Sequence, residues 1–123
     1  MLHFKILIAP RTKKNSQQII KINGQPRIIP SKAYKQYEKD CKIFIPKIDT
    51  INHPVNVKAV YYMPTRRRVD LCNLHEALCD ILVRYGVVAD DNSNIIASMD
   101  GSRVMYDKEH PRTEVTITRI KEC

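Results

Sequence analysis

Nowhere in its 123 residues does this chain carry eighteen consecutive apolar residues, so it offers no candidate for a membrane-crossing helix. The charge order of a secretory leader is missing too. In MLHFKILIAPRTKK the cluster of basic residues follows the apolar run instead of preceding it. No Cys-x-x-Cys pair occurs, and the four cysteines (Cys41, Cys72, Cys79 and Cys123) are unevenly spaced in a chain long enough to build a core without staples. Reduced thiols in a cytoplasmic protein are therefore the expectation. Repeats and low-complexity segments are absent. Acids are scarce at one end: residues 1–47 hold eleven Lys and Arg against Glu38 and Asp40, a net of +9, while the remainder nets −1. A basic half joined to a near-neutral half with clustered acids suggests nucleic acid on one side and chemistry on the other.

Hydrophobic periodicity then divides the chain into elements. Leu2, Phe4, Ile6 and Ile8 alternate with polar neighbours, which predicts a half-buried strand ending at Pro10. Two apolar runs flank Asn23-Gly24, the dipeptide that accepts positive φ in a two-residue hairpin, and Pro26 then requires an edge or a strand entry. Ser31 is a plausible N-cap for a helix with Ala33, Tyr34, Tyr37, Cys41, Phe44 and Ile45 on one stripe, lysines on the rest, and Pro46 as its stop. Val55, Val57, Ala59, Tyr61 and Met63 alternate as a strand closed by Pro64. A second helix is predicted over about Asn73–Tyr85, with Leu74, Ala77, Leu78, Ile81, Leu82 and Tyr85 apolar and Gly86 beyond its end. VVADDNSNIIASM reads as a turn into a strand, and TEVTITRI as a last strand. The expected fold class is α+β: a single compact domain over residues 1–123, with a mixed or antiparallel sheet and two main helices.

Three acids stand out by position. Asp70 lies between a strand and the second helix, and Asp90 and Asp91 lie just after that helix. A helix of about thirteen residues is about 20 Å long, so the two sites meet only if the segment after Gly86 folds back along it. Convergent carboxylates beside a basic patch are the usual requirement for Mg²⁺, which polarises a phosphodiester and activates water. Simpler roles remain open: Asp70 as a charge at a helix N-terminus, Asn73-x-x-Glu76 as a capping box, and Asp90–Ser93 as ordinary turn composition. Cys72, His75 and Cys79 share a helix face, but one helix rarely supplies three zinc ligands and no fourth is evident. Of the Tyr61-Tyr62 pair, one ring faces the core and the other outward. Arg11, Lys13 and Lys14 form one basic loop, and Arg66, Arg67 and Arg68 another. Six phosphate contacts would give a log-affinity versus log-salt slope of about −5.

The run YYMPTRRRVDLCNLHEALCDILVRYGVVADD, with the early KKNSQ loop and the Ser31–Tyr34–Tyr37 helix, resembles the RusA-type Holliday-junction resolvases, small endodeoxyribonucleases often carried by phages and prophages. The resemblance covers most of the chain. It implies a cytoplasmic, bacterial or phage-encoded homodimer that binds four-way junctions of branched DNA in recombination and repair. It implies symmetric nicking by metal-dependent phosphodiester hydrolysis, with Mg²⁺ (Mn²⁺ as a substitute) held by aspartates and no small-molecule cofactor. Asp70 matches the first essential aspartate and Asp91 the one after the helix, with Asp90 its neighbour; Lys13, Lys14 and Arg66–Arg68 would grip phosphates. Two positions depart: the motif's second aspartate is Cys72, and its lysine is Glu76. A thiol is a soft ligand and a poor partner for Mg²⁺. Glu76, one turn beyond Cys72, is therefore a candidate compensating ligand, and a catalytically weakened junction-binding module is the alternative.

Overall fold

The computed structural model describes residues 1–13, 17–30 and 32–121. Lys14 and the expected N-cap Ser31 lie outside the described residues, as does Cys123. The described elements run β1 (Leu2–Ile6), β2 (Gln17–Ile22), β3 (Gln25–Pro30), α1 (Lys32–Cys41), a 3₁₀ turn (Lys42–Phe44), β4 (Val55–Met63), α2 (Leu71–Arg84), β5 (Ile96–Ser98), β6 (Arg103–Tyr106) and β7 (Arg112–Arg119). The fold is the expected α+β arrangement with a mixed sheet and two helices.

β4 is the centre of a five-stranded sheet. On one side it pairs antiparallel with β7, which pairs antiparallel with β1. On its other side β5 and β6 both run parallel to it, β5 beside its start and β6 beside its end. Alternation along β4 turns Val55, Val57, Ala59 and Tyr61 inward; the same period on β7 buries Thr113, Val115 and Ile117. The apolar ones among them meet Tyr34, Tyr37 and Cys41 of α1 and Leu74, Ala77, Leu78, Ile81 and Leu82 of α2 in one core cluster. The opposite sheet face carries Lys58, Tyr62 and Thr116. β2 and β3 form a separate antiparallel ribbon whose turn has Asn23 at φ 53° and Gly24 at φ 79°, as the dipeptide predicts. Pro26 lies opposite Lys21 in that ribbon, which pairs with no other strand among the described residues.

Several expectations shift. β1 ends at Ile6, short of Pro10. Ala33, expected on the apolar stripe of α1, is exposed. α2 begins at Leu71 instead of Asn73, so Asn73 is the third residue of the helix and the capping box read from Asn73 to Glu76 does not form. β6 was not foreseen, because all four of its residues are exposed and no burial alternation marks them.

Candidate functional site

Asp70 occupies the N-cap of α2 with extended backbone (φ −85°, ψ 124°), yet its side chain makes no capping bond. Its backbone carbonyl accepts from the amides of Asn73 (3.1 Å) and Leu74 (3.2 Å). The carboxylate instead accepts from Asn73 Nδ2 at 3.3 Å and stays exposed. The Asp70 side chain thus caps no amide of the helix, and one of its carboxylate oxygens is free of hydrogen-bond partners among the described residues.

The chain reverses at the other end of α2. Gly86 sits at φ +73°, and the amides of Val87 (2.9 Å) and Val88 (3.3 Å) both donate back to the carbonyl of Leu82. This left-handed close is the ordinary use of glycine after a helix. Val87 and Val88 are buried, and Ile51 holds the strand-like segment by bonds to Val87 (2.9 Å) and Ala89 (2.9 Å). The connection consequently runs back along α2, the condition that local spacing alone left open. Asp91 comes near enough to Cys79 that its negative charge, after burial, helps push that thiol up to about 11. Both oxygens of Asp90 are engaged by its own turn: Oδ1 accepts from the Asp91 amide (2.8 Å) and Oδ2 from Asn92 Nδ2 (3.2 Å). Asp91 has no such partner among the described residues.

The two basic loops come together. Arg11, with Ala9, Pro10 and Thr12, lines a cleft of about 330 Å³ whose other wall is Met63, Pro64, Thr65, Arg67, Arg68 and Val69. Three guanidinium groups thus rim a single depression next to the segment that leads into Asp70. Arg66 turns the other way and stacks over the Tyr106 ring (4.3 Å to the centroid), an aromatic partner that became visible only once β6 formed. Lys13 forms an ion pair with Asp80 of α2, which anchors the first loop to that helix.

Cys72 is exposed at the start of α2. His75 is half-buried, and its Nδ1 lies 2.7 Å from the hydroxyl of buried Tyr61. Burial lowers the pKa of His75 below its ordinary value and raises that of Tyr61, so the pair is neutral at neutral pH. Glu76 is exposed one turn beyond Cys72, on the same face of α2 as Cys72 and Cys79. Cys41 is a buried core residue. Tyr61 faces the core as expected, and Tyr62 lies under the Arg112 guanidinium at 3.8 Å.

A family model described as Endodeoxyribonuclease RusA matches residues 8–118. The chain belongs to the RusA family. No curated protein matches it closely enough to count as a relative. RusA membership implies Holliday-junction endodeoxyribonuclease activity, with branched DNA junctions as the substrate. RusA resolvases generally depend on a divalent metal. In kind, the donors suit one: Asp70 and Asp91 offer hard carboxylate oxygens, while the thiol of Cys72 is soft. Among the described residues, however, no three His, Cys, Asp or Glu side chains gather at one point. No helix among the described residues is long and apolar enough to cross a membrane.

Proposed function

We propose that the protein is a homodimeric, divalent-metal-dependent resolvase that nicks four-way DNA junctions. Asp70 and Asp91 are the principal metal ligands, and Asp90 shapes the turn that presents Asp91. Arg67 and Arg68 grip phosphates together with Arg11, supported by Arg66, Lys13 and Lys14. The observation that carries this reading is the reversal after Gly86, which brings Asp91 back alongside the helix that Asp70 heads with one carboxylate oxygen uncommitted. A bound Mg²⁺ or Mn²⁺ would polarise the scissile phosphodiester and lower the pKa of the attacking water. The arginine-rimmed cleft would hold the DNA backbone in register, since the planar guanidinium fork suits bidentate phosphate contact. Resolving a four-way junction requires cuts in two strands related by symmetry, hence two sites and a dimer. Glu76, one turn from Cys72 on the same face of α2, would add a carboxylate beside it.

The test uses a synthetic four-way junction with Mg²⁺, Mn²⁺ or EDTA, comparing the protein with its Asp70→Asn variant. Paired nicks that need metal and vanish in the variant are expected. Binding with no cutting under any condition would refute the catalytic reading. It would favour the second one, a junction-binding module weakened in catalysis, for which Cys72 in place of the motif's aspartate is the specific observation. Sedimentation of the free protein tests the dimer.

A further inference from the structure

The acidic and arginine-lined surfaces leave one charged feature unused. Lys32, Lys35 and Lys39 follow one another along α1 at steps of three and four, and Lys42 continues the row in the 3₁₀ turn. All four are exposed, on the side of the helix opposite the buried Tyr34, Tyr37 and Cys41. A lysine row on an amphipathic helix is commonly no more than a solvated face. Here two observations argue for more. Among the described residues neither acid of the same helix is ion-paired with the row: Glu38 is bound by Arg84 at 2.6 Å, and Asp40 accepts from Gln36 at 2.8 Å. The row is also continuous with the proposed DNA-binding cleft. The link runs through the first loop, whose Arg11 lines the cleft of Arg67 and Arg68 and whose Lys13 borders the row. A cleft of about 420 Å³ is lined by Lys13 together with Lys35, Lys39, Arg84 and the Arg84-bound Glu38.

We propose that the outer face of α1 is a second DNA-contact surface, which takes the phosphate backbone of one duplex arm leaving the junction. The proposal rests on the branched-DNA reading above. From Lys32 to Lys42 the row spans about 15 Å, the rise of about four or five base pairs, so it meets several phosphates of one arm. It involves no base contact, so its effect depends on arm length and salt and not on sequence.

The experiment compares the full chain with the double variant Lys35→Gln/Lys39→Gln on two junctions, with arms of about 8 and about 25 base pairs. Affinity is followed by fluorescence anisotropy from about 50 to about 200 mM salt. On long arms the variant should lose affinity, and its log–log salt slope should be shallower by about 1.8, at about 0.9 per lost phosphate contact. Raising salt over that range then costs the native protein about twelve-fold more than the variant. On short arms the two proteins should bind alike, and nicking at saturating DNA should be unchanged on both. Equal affinity and slope on long arms would reduce the row to a solvated face and overturn the proposal. So would an equal loss on short arms, which would place these lysines at the crossover. If the native protein binds neither junction, the branched-DNA reading itself fails, an outcome distinct from either of these.

Discussion

Replacing Gly86 with alanine, asparagine or valine tests whether the reversal that delivers Asp91 depends on backbone conformation. Gly86 sits at φ +73°, and a Cβ there would meet only Thr50 Oγ1 at 3.6 Å, an ordinary contact. The Thr50 hydroxyl, which donates to the Gly86 carbonyl at 2.8 Å, need not move. The cost of alanine is therefore conformational: about 1–2 kcal/mol for an L-residue in the left-handed region. The unfolded chain of the variant is stiffer, which returns about 0.4–1 kcal/mol. A net loss of about 1 kcal/mol should lower Tm by about 3–6 °C for a domain of this size. Asparagine tolerates the left-handed region, so Gly86→Asn should lose less than Gly86→Ala. Valine, branched at Cβ, should lose most. Urea denaturation and calorimetry read the order. Nicking per folded molecule should not change in Gly86→Ala, because the Ile51 bonds to Val87 and Ala89 still set the path to Asp91. An alanine variant as stable as the native protein, or more stable than the asparagine one, would refute the strain argument.

Other outcomes follow from the site. Replacing Arg11, Arg67 and Arg68 together by glutamine removes the three guanidinium groups of one cleft, so the salt slope for junction binding should become shallower by about 2.7. The native protein would then lose about forty-fold more affinity than this variant between about 50 and about 200 mM salt, as measured by anisotropy. Burial lowers the pKa of His75 from 6.5, so the unfolded chain binds its proton at a higher pH than the folded one. The resulting stability is complete above pH 6.5 and drains away as pH falls through the folded value. Urea midpoints across that window should slope less in His75→Gln. Cys72→Asp should raise Mg²⁺-supported nicking about tenfold, about 1.4 kcal/mol of transition-state stabilisation, because it supplies a hard donor two residues from Asp70. Unchanged or reduced nicking in single-turnover assays would mean that the site is built around the thiol.

Much of the frame was legible because it is written locally. The alternation from Val55 to Met63, the apolar stripe of α2, and Asn23-Gly24 each specify a nearby geometry whatever surrounds them. β6 carried no such signal. Its residues are exposed throughout, and it is a strand only because β4 offers a parallel edge between Val60 and Met63. The start of α2 was misplaced by two residues because Asn73 looks like a cap in sequence, whereas the extended backbone of Asp70 ends the preceding loop.

The site divides in the same way. Sequence by itself determined which residues have chemistry that fits the proposed function: the carboxylates of Asp70, Asp90 and Asp91 suit hard cations, arginines suit phosphate, and Cys72 is the departure in the motif. Whether Asp91 returns toward α2 was decided by Val87 and Val88, whose burial against the core and bonding to Ile51 pull the chain back along the helix. That Arg11 joins Arg67 and Arg68 was decided by the pairing of β1 and β4 on either side of β7, which brings the ends of two distant loops together. Residue chemistry is local and can be read in order along a chain. Convergence depends on contacts between residues far apart in sequence, and only the packed core selects those.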